Sequence, residues 1–150
     1  PLVIDMDRYN FNILWFSPDS RYLACCGNEI ESRVWDATSG QCRLTLSGHS
    51  GIVLSIQYSP DGRYLVTASM DGTVRVWDAE SGAELLSYSL PSDGMYFLAF
   101  FTPDSRRVIE CSADECYRLL AFQDFDEVLE IVRKRATRDW KPEEHRRYLR

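Results

Sequence analysis

The chain reads as all-β, about three four-stranded units in series followed by a short C-terminal α-helical extension. A repeat predicts the series and a change of period predicts the extension. Ser17-Pro18-Asp19-Ser20-Arg21-Tyr22-Leu23 returns 42 residues later as Ser59-Pro60-Asp61-Gly62-Arg63-Tyr64-Leu65. Arg33-Val34-Trp35-Asp36 returns at the same displacement as Arg75-Val76-Trp77-Asp78. A weaker third copy, Thr102-Pro103-Asp104-Ser105-Arg106 leading to Tyr117-Arg118-Leu119-Leu120, lies 43 residues further on. Periods of about 40 to 45 residues mean small sheets repeated around an axis, since a lone sheet cannot bury both of its faces.

The middle unit shows the local logic. Ile52 to Tyr58 is an apolar stretch with partial alternation, the pattern of an inner strand flanked by neighbours. In Ser59-Pro60-Asp61-Gly62 the proline presets φ, the aspartate bonds its own backbone and the glycine accepts a positive φ. Tyr64 to Ser69 is the second strand, and Asp71-Gly72 signals a hairpin into Thr73 to Trp77. Glu80-Ser81-Gly82 turns into a fourth strand at about Glu84 to Leu90, with Gln41 to Leu46 as its counterpart one unit earlier. The units are about 5–46, 47–90 and 91–122, with the extension at 123–150.

Gly48-His49, Ser59-Pro60-Asp61-Gly62 and Ser69-Met70-Asp71-Gly72-Thr73-Val74-Arg75-Val76-Trp77-Asp78 together resemble one complete WD-repeat unit of a β-propeller. The resemblance implies a partial WD-repeat propeller. It further implies a structural tetrad inside the blade, formed by His49, a hydroxyl on the second strand, Asp71 and Trp77. That hydroxyl is assigned to Thr67, with Ser69 as the alternative on the same strand face. A buried imidazole and indole need partners, because an unmet buried donor costs about 1 to 3 kcal/mol. The tetrad stabilises and does not catalyse. Aligned with Gly48-His49, the first unit has Met6-Asp7 and the third has Pro91-Ser92. The third unit also has Glu115 for Gly72 and Leu120 for Trp77, so it is expected to be the least regular.

Back-aligned by one period, Leu2-Val3-Ile4 falls on Leu44-Thr45-Leu46, in the outermost strand of a preceding blade. The third unit ends after three strands near Phe122. Propellers close with about four to eight blades. The expectation is therefore a fragment whose remaining blades lie in the parent chain, or units from several copies completing one ring.

After Phe122 the period becomes helical: Asp124 and Glu127 resemble a capping box, and Phe125, Val128, Leu129, Val132 and Ala136 follow. A second helix is expected from Pro142, with Glu143-Glu144 in its first turn and Arg146-Arg147 near its end. This tail resembles the segment that closes bacterial WD-repeat proteins fused to signal-transducing nucleoside triphosphatases of the STAND class. In that family the second helix usually follows Leu-Thr-Pro, whereas here it follows Trp140-Lys141-Pro142, without the capping threonine oxygen.

Hydrophobic residues make up 45% of the chain and aromatics 13%, enough for a packed core. No run approaches the roughly 18 apolar residues of a membrane span, and a cytoplasmic protein without membrane contact is expected. The five cysteines show no metal-ligand spacing. Cys25 and Cys26 are adjacent on one strand and face opposite ways, so they do not bond each other. Cys111 and Cys116 flank a hairpin turn, with a zinc or redox role left as the lesser alternative to small buried hydrophobes.

Residues 1–122 hold nine Lys/Arg against sixteen Asp/Glu and the tail eight against seven, so the blades are acidic and no nucleic-acid partner is expected. No Ser-His-Asp or Cys-His arrangement and no phosphate loop is present, so neither enzymatic activity nor a cofactor is expected. Recognition of a protein or peptide partner remains, on loops held by a rigid scaffold. One rim carries the loop before each inner strand and the turn between second and third strands. Its candidates are Arg8, Tyr9, Asn28, Glu29, Met70, Met95, Tyr96 and Ala113. Two readings stand, a partner-sensing signalling module and a passive scaffold or self-assembling ring.

Overall fold

A computed structural model describes residues 11–89, 98–111 and 117–121. The expected opening strand and the helical tail lie outside these residues. Among the described residues eleven strands form three antiparallel sheets. Sheet 1 holds β1 (Phe11–Phe16), β2 (Tyr22–Gly27), β3 (Ser32–Asp36) and β4 (Cys42–Leu46) in that spatial order. Sheet 2 repeats it with β5 (Val53–Tyr58), β6 (Tyr64–Ser69), β7 (Thr73–Asp78) and β8 (Glu84–Ser89). Sheet 3 has three described strands, β9 (Leu98–Phe101), β10 (Arg107–Cys111) and β11 (Tyr117–Ala121).

The repeated turn works as its residue types require. Ser17 Oγ donates to Asp19 Oδ1 at 2.6 Å and accepts from the Tyr22 amide at 2.9 Å. Ser59 does the same with Asp61 at 2.6 Å and Tyr64 at 3.0 Å, and Thr102 with Asp104 and Arg107. The last turn position is left-handed in all three, with φ of 60° at Ser20, 75° at Gly62 and 58° at Ser105. Glycine takes that conformation without steric cost, whereas the two serines are strained. At the far end of β3 and of β7, Asp36 Oδ1 accepts the Thr38 and Ser39 amides, and Asp78 Oδ1 those of Glu80 and Ser81. The aspartate after each tryptophan thus closes the following turn.

Strands β2 and β6 are buried almost throughout, while β4 and β8 are half-exposed. A strand covered on both faces reads as a continuous apolar run, and an outer one does not. Between sheets 1 and 2 lie Ala24, Cys26, Val34 and Leu46 against Val53, Ile56, Tyr58, Leu65 and Trp77. Between sheets 2 and 3 lie Val66, Ala68, Val74 and Val76 against Ala99, Phe101 and Val108. Each fully buried aliphatic side chain contributes roughly 1.5 to 3 kcal/mol. Cys25 packs with Leu23 and Trp35 while Cys26 joins the other cluster, so the neighbouring thiols do face opposite ways.

The outer face of sheet 1 differs from its counterpart one period later. Shifted by 42 residues, Leu14 and Phe16 fall on Ile56 and Tyr58. Ile56 and Tyr58 are buried against sheet 1, whereas Leu14 is 52% and Phe16 57% exposed. Among the described residues no helix is long and apolar enough to cross a membrane.

Candidate functional site

The loop from β6 to β7 comprises Met70, Asp71 and Gly72, one residue longer than a two-residue hairpin. The Gly72 amide donates to the Ser69 carbonyl at 3.1 Å, with Gly72 φ at 78°. Ser69 Oγ donates to the Gly51 carbonyl at 2.9 Å, and the Met70 amide to the Ile52 carbonyl at 2.8 Å. The loop is thereby tied to the connection entering β5. A Cβ on Gly51 would stand 2.7 Å from the Asp71 nitrogen, so glycine is required there for close backbone approach.

Asp71 sits at the head of a buried polar chain. Its Oδ1 accepts from the Thr73 amide at 2.9 Å and the Thr73 hydroxyl at 2.7 Å. Its Oδ2 accepts from the Ser50 amide at 2.9 Å and lies 2.9 Å from His49 Nδ1. His49 Nε2 is 2.7 Å from Thr67 Oγ1, which also accepts the Trp77 indole N–H at 2.8 Å. One proton order satisfies every member. The indole donates to Thr67, the Thr67 hydroxyl to Nε2 of a neutral imidazole, and Nδ1–H to the carboxylate. His49 and Trp77 also meet edge-on, with ring centroids 6.1 Å apart.

The electrostatics agree with that order. Burial pushes the His49 imidazole below its usual value, against the hydrogen bond and charge of Asp71. Burial alone would raise the Asp71 carboxyl, but hydrogen bonds from Thr73, the Ser50 amide and His49 outweigh it and hold the group far below the carboxylate range. Hydroxyl, imidazole and carboxylate stand in the sequence of a nucleophilic triad. Thr67 is nevertheless completely buried and its oxygen is capped by an indole, so no substrate reaches it. The arrangement braces a loop.

Of the alternatives for the hydroxyl, Thr67 lies in this chain and Ser69 bonds the Gly51 carbonyl instead. Sequence reasoning missed Ser50 and Thr73, although a hydroxyl two residues after an aspartate is a recognisable turn signal. On the rim, Asn28 is exposed, Glu29 is half-buried with its carbonyl accepting from the Val53 amide at 2.9 Å, and Met70 is 46% exposed. Ile30, also missed, is 52% exposed. Arg8, Tyr9, Met95, Tyr96 and Ala113 lie outside the described residues.

Among the described residues no cluster of His, Cys, Asp and Glu is placed to hold a metal. Cys25 and Cys26 are free thiols, each pushed up to about 12 by burial. Such thiols are inert hydrophobes.

Residues 40–78 match the family WD domain, G-beta repeat. That segment contains His49, Thr67, Asp71 and Trp77, the four members of the polar chain. A relative, "Periodic tryptophan protein 2 homolog" from Dictyostelium discoideum, is 36% identical over 50 residues. The alignment covers 33% of this chain and 5% of the relative, so the chain matches a small part of that protein. With antiparallel four-stranded sheets stacked face to face, these matches support a WD-repeat β-propeller fragment.

Proposed function

We propose that the chain is a protein-interaction module, a stretch of WD-repeat propeller that recognises a protein or peptide partner through the edge carrying the β6–β7 loop. WD repeats generally mediate protein–protein interaction. The observation that carries the reading is Met70, an exposed apolar side chain on a loop whose next residue accepts four hydrogen bonds. A pre-ordered loop loses little entropy when a partner binds, and an adaptable thioether fits varied surfaces. The rim is proposed to comprise Arg8, Tyr9, Asn28, Glu29, Met70, Met95, Tyr96 and Ala113, joined by Ile30. In its finer form the module serves a bacterial STAND-type signalling protein, supported by the sequence of the tail. Partner binding would then shift an attached switch domain between two states.

Site-specific photo-crosslinking from position 70 identifies the partner, with position 87 on the outer strand β8 as control. Met70→Asp is expected to weaken the purified complex at least tenfold while Ser87→Lys, on the exposed face of β8, does not, a difference of about 1.4 kcal/mol. Unchanged affinity in Met70→Asp removes the rim from the reading.

A second reading, several copies closing one ring, is favoured by the open face carrying Leu14 and Phe16. A solution mass that is a multiple of 17.4 kDa, returned to the monomer by Phe16→Glu, supports it. A monomer at the outset excludes it.

A further inference from the structure

The two contacts between sheets are built alike but closed differently at the edge opposite the rim. Between sheets 2 and 3, Ser105 is buried and its Oγ accepts from the Asp61 amide at 3.2 Å. Phe101 is buried in the same contact between sheets, its ring 6.5 Å from that of Tyr64. Between sheets 1 and 2 the equivalent residues are Gly62 and Tyr58. Gly62 brings no side chain, and among the described residues a Cβ there would meet just Pro18, at 3.6 Å. Tyr58 brings a hydroxyl on a side chain 3% exposed, and that hydroxyl has no hydrogen-bond partner among the described residues. The result is a cleft of about 460 Å³ between the β1–β2, β5–β6 and β7–β8 turns, with Tyr58 in its lining.

Among the described residues, seven that are charged line the cleft, Asp19, Asp61, Asp78 and Glu80 against Arg21, Arg43 and Arg63. Arg43 is consumed by Glu80 and by the carbonyls of Ala79 and Glu80. Arg21 and Arg63 lie over the rings of Tyr22 and Tyr64. Asp19, Asp61 and Asp78 each spend Oδ1 on their own turn, leaving the second oxygen of each for another donor. The described lining carries one carboxylate in excess, in a chain whose net charge is −6. That field draws cations and repels anions. Tyr58 adds a hydroxyl oxygen without a hydrogen-bond partner among the described residues to the lining.

We propose that this cleft is a second binding site, which takes a basic side chain, lysine or arginine, of a peptide segment. It rests on the interaction reading above but uses the opposite edge, so a failed Met70 experiment leaves its test intact. The repeat supplies the variants. Gly62→Ser copies the residue that already holds the left-handed turn at Ser20 and Ser105, and Tyr58→Phe copies Phe16 and Phe101.

The test is an amide chemical-shift titration of the whole chain with blocked Gly-Arg-Gly, Gly-Lys-Gly and Gly-Glu-Gly peptides. Either basic peptide is expected to give saturable shifts confined to residues 17–22, 58–63 and 78–80, and the acidic peptide none. Gly62→Ser is expected to weaken binding about tenfold and Tyr58→Phe about threefold, without loss of the folded spectrum. If Gly62→Ser unfolds the chain, Tyr58→Phe and Asp61→Asn decide. Absence of saturable shifts, equal shifts from the acidic peptide, or affinity unchanged in every folded variant overturns the proposal.

Discussion

Sheets 1 and 2 share their turns and their strand register, yet they differ in what joins the strands at the centre. Leu23 pairs Trp35 and Leu65 pairs Trp77, and the β3–β4 and β7–β8 ladders shift register at the same place. Where sheet 2 has Thr67 bonded to an imidazole and an indole, sheet 1 has Cys25 in an apolar cluster. Where sheet 2 has Thr73 inside the chain to Asp71, sheet 1 has Glu31, bonded near the surface to Arg33 and Ser47. Turn chemistry and alternating burial therefore suffice to build the sheet, and the polar chain is an addition that immobilises one loop. A partly exposed ion pair contributes about 0 to 1 kcal/mol, whereas stranding a buried donor costs more.

The largest test of this contrast is the tryptophan pair. Trp77→Ala is expected to cost about 3 to 5 kcal/mol in denaturant unfolding. Trp35→Ala is expected to cost less, since Trp35 is 8% exposed against 2% for Trp77 and packs in a smaller cluster. Equal losses break the comparison. Next, Thr67→Val strands both His49 Nε2 and the Trp77 indole and is expected to cost about 1 to 3 kcal/mol. The matching Cys25→Val change conserves apolar character and is expected to stay within about 1.5 kcal/mol.

The smallest effect is that of pH. His49 is held below its ordinary value of 6.5, so the unfolded chain takes up the proton more readily and stability falls as pH drops through that value. Asp71 is held below its ordinary 3.8, so its contribution is present above that value and is lost in stronger acid. Both signs agree. The thermal midpoint should decline from pH 8 to 5.5, and His49→Gln should flatten that decline. An unchanged slope in the variant would separate the imidazole from acid lability.

Strands and turns were legible because their causes are local. Ser59-Pro60-Asp61-Gly62 places a turn by its own stereochemistry, and β5, β6 and β7 begin and end within one residue of where the pattern puts them. The family resemblance supplied the spacing of His49, Thr67, Asp71 and Trp77, which the structure brings together. The cleft was not legible, since it depends on Gly62 leaving space beside Pro18 of the neighbouring sheet. Nor was the exposure of Leu14 and Phe16, whose equivalents Ile56 and Tyr58 are buried. Apolar composition marks a face for covering without saying what covers it.

Arg43 has a mechanical consequence. From the outermost strand of sheet 1 it reaches the carbonyls of Ala79 and Glu80 in the β7–β8 turn, and its guanidinium lies 4.6 Å from the centre of the Tyr22 ring. Leu85 stands at the corresponding place in sheet 2 and packs into the apolar cluster instead. The first pair of sheets is thus latched at its outer circumference by two carbonyls, which neither acid nor alkali can neutralise, and by the Glu80 carboxylate, which acid can. Wedging that pair apart means breaking the latch before the greasy interior is reached, so its angle of opening is governed from the outside inward.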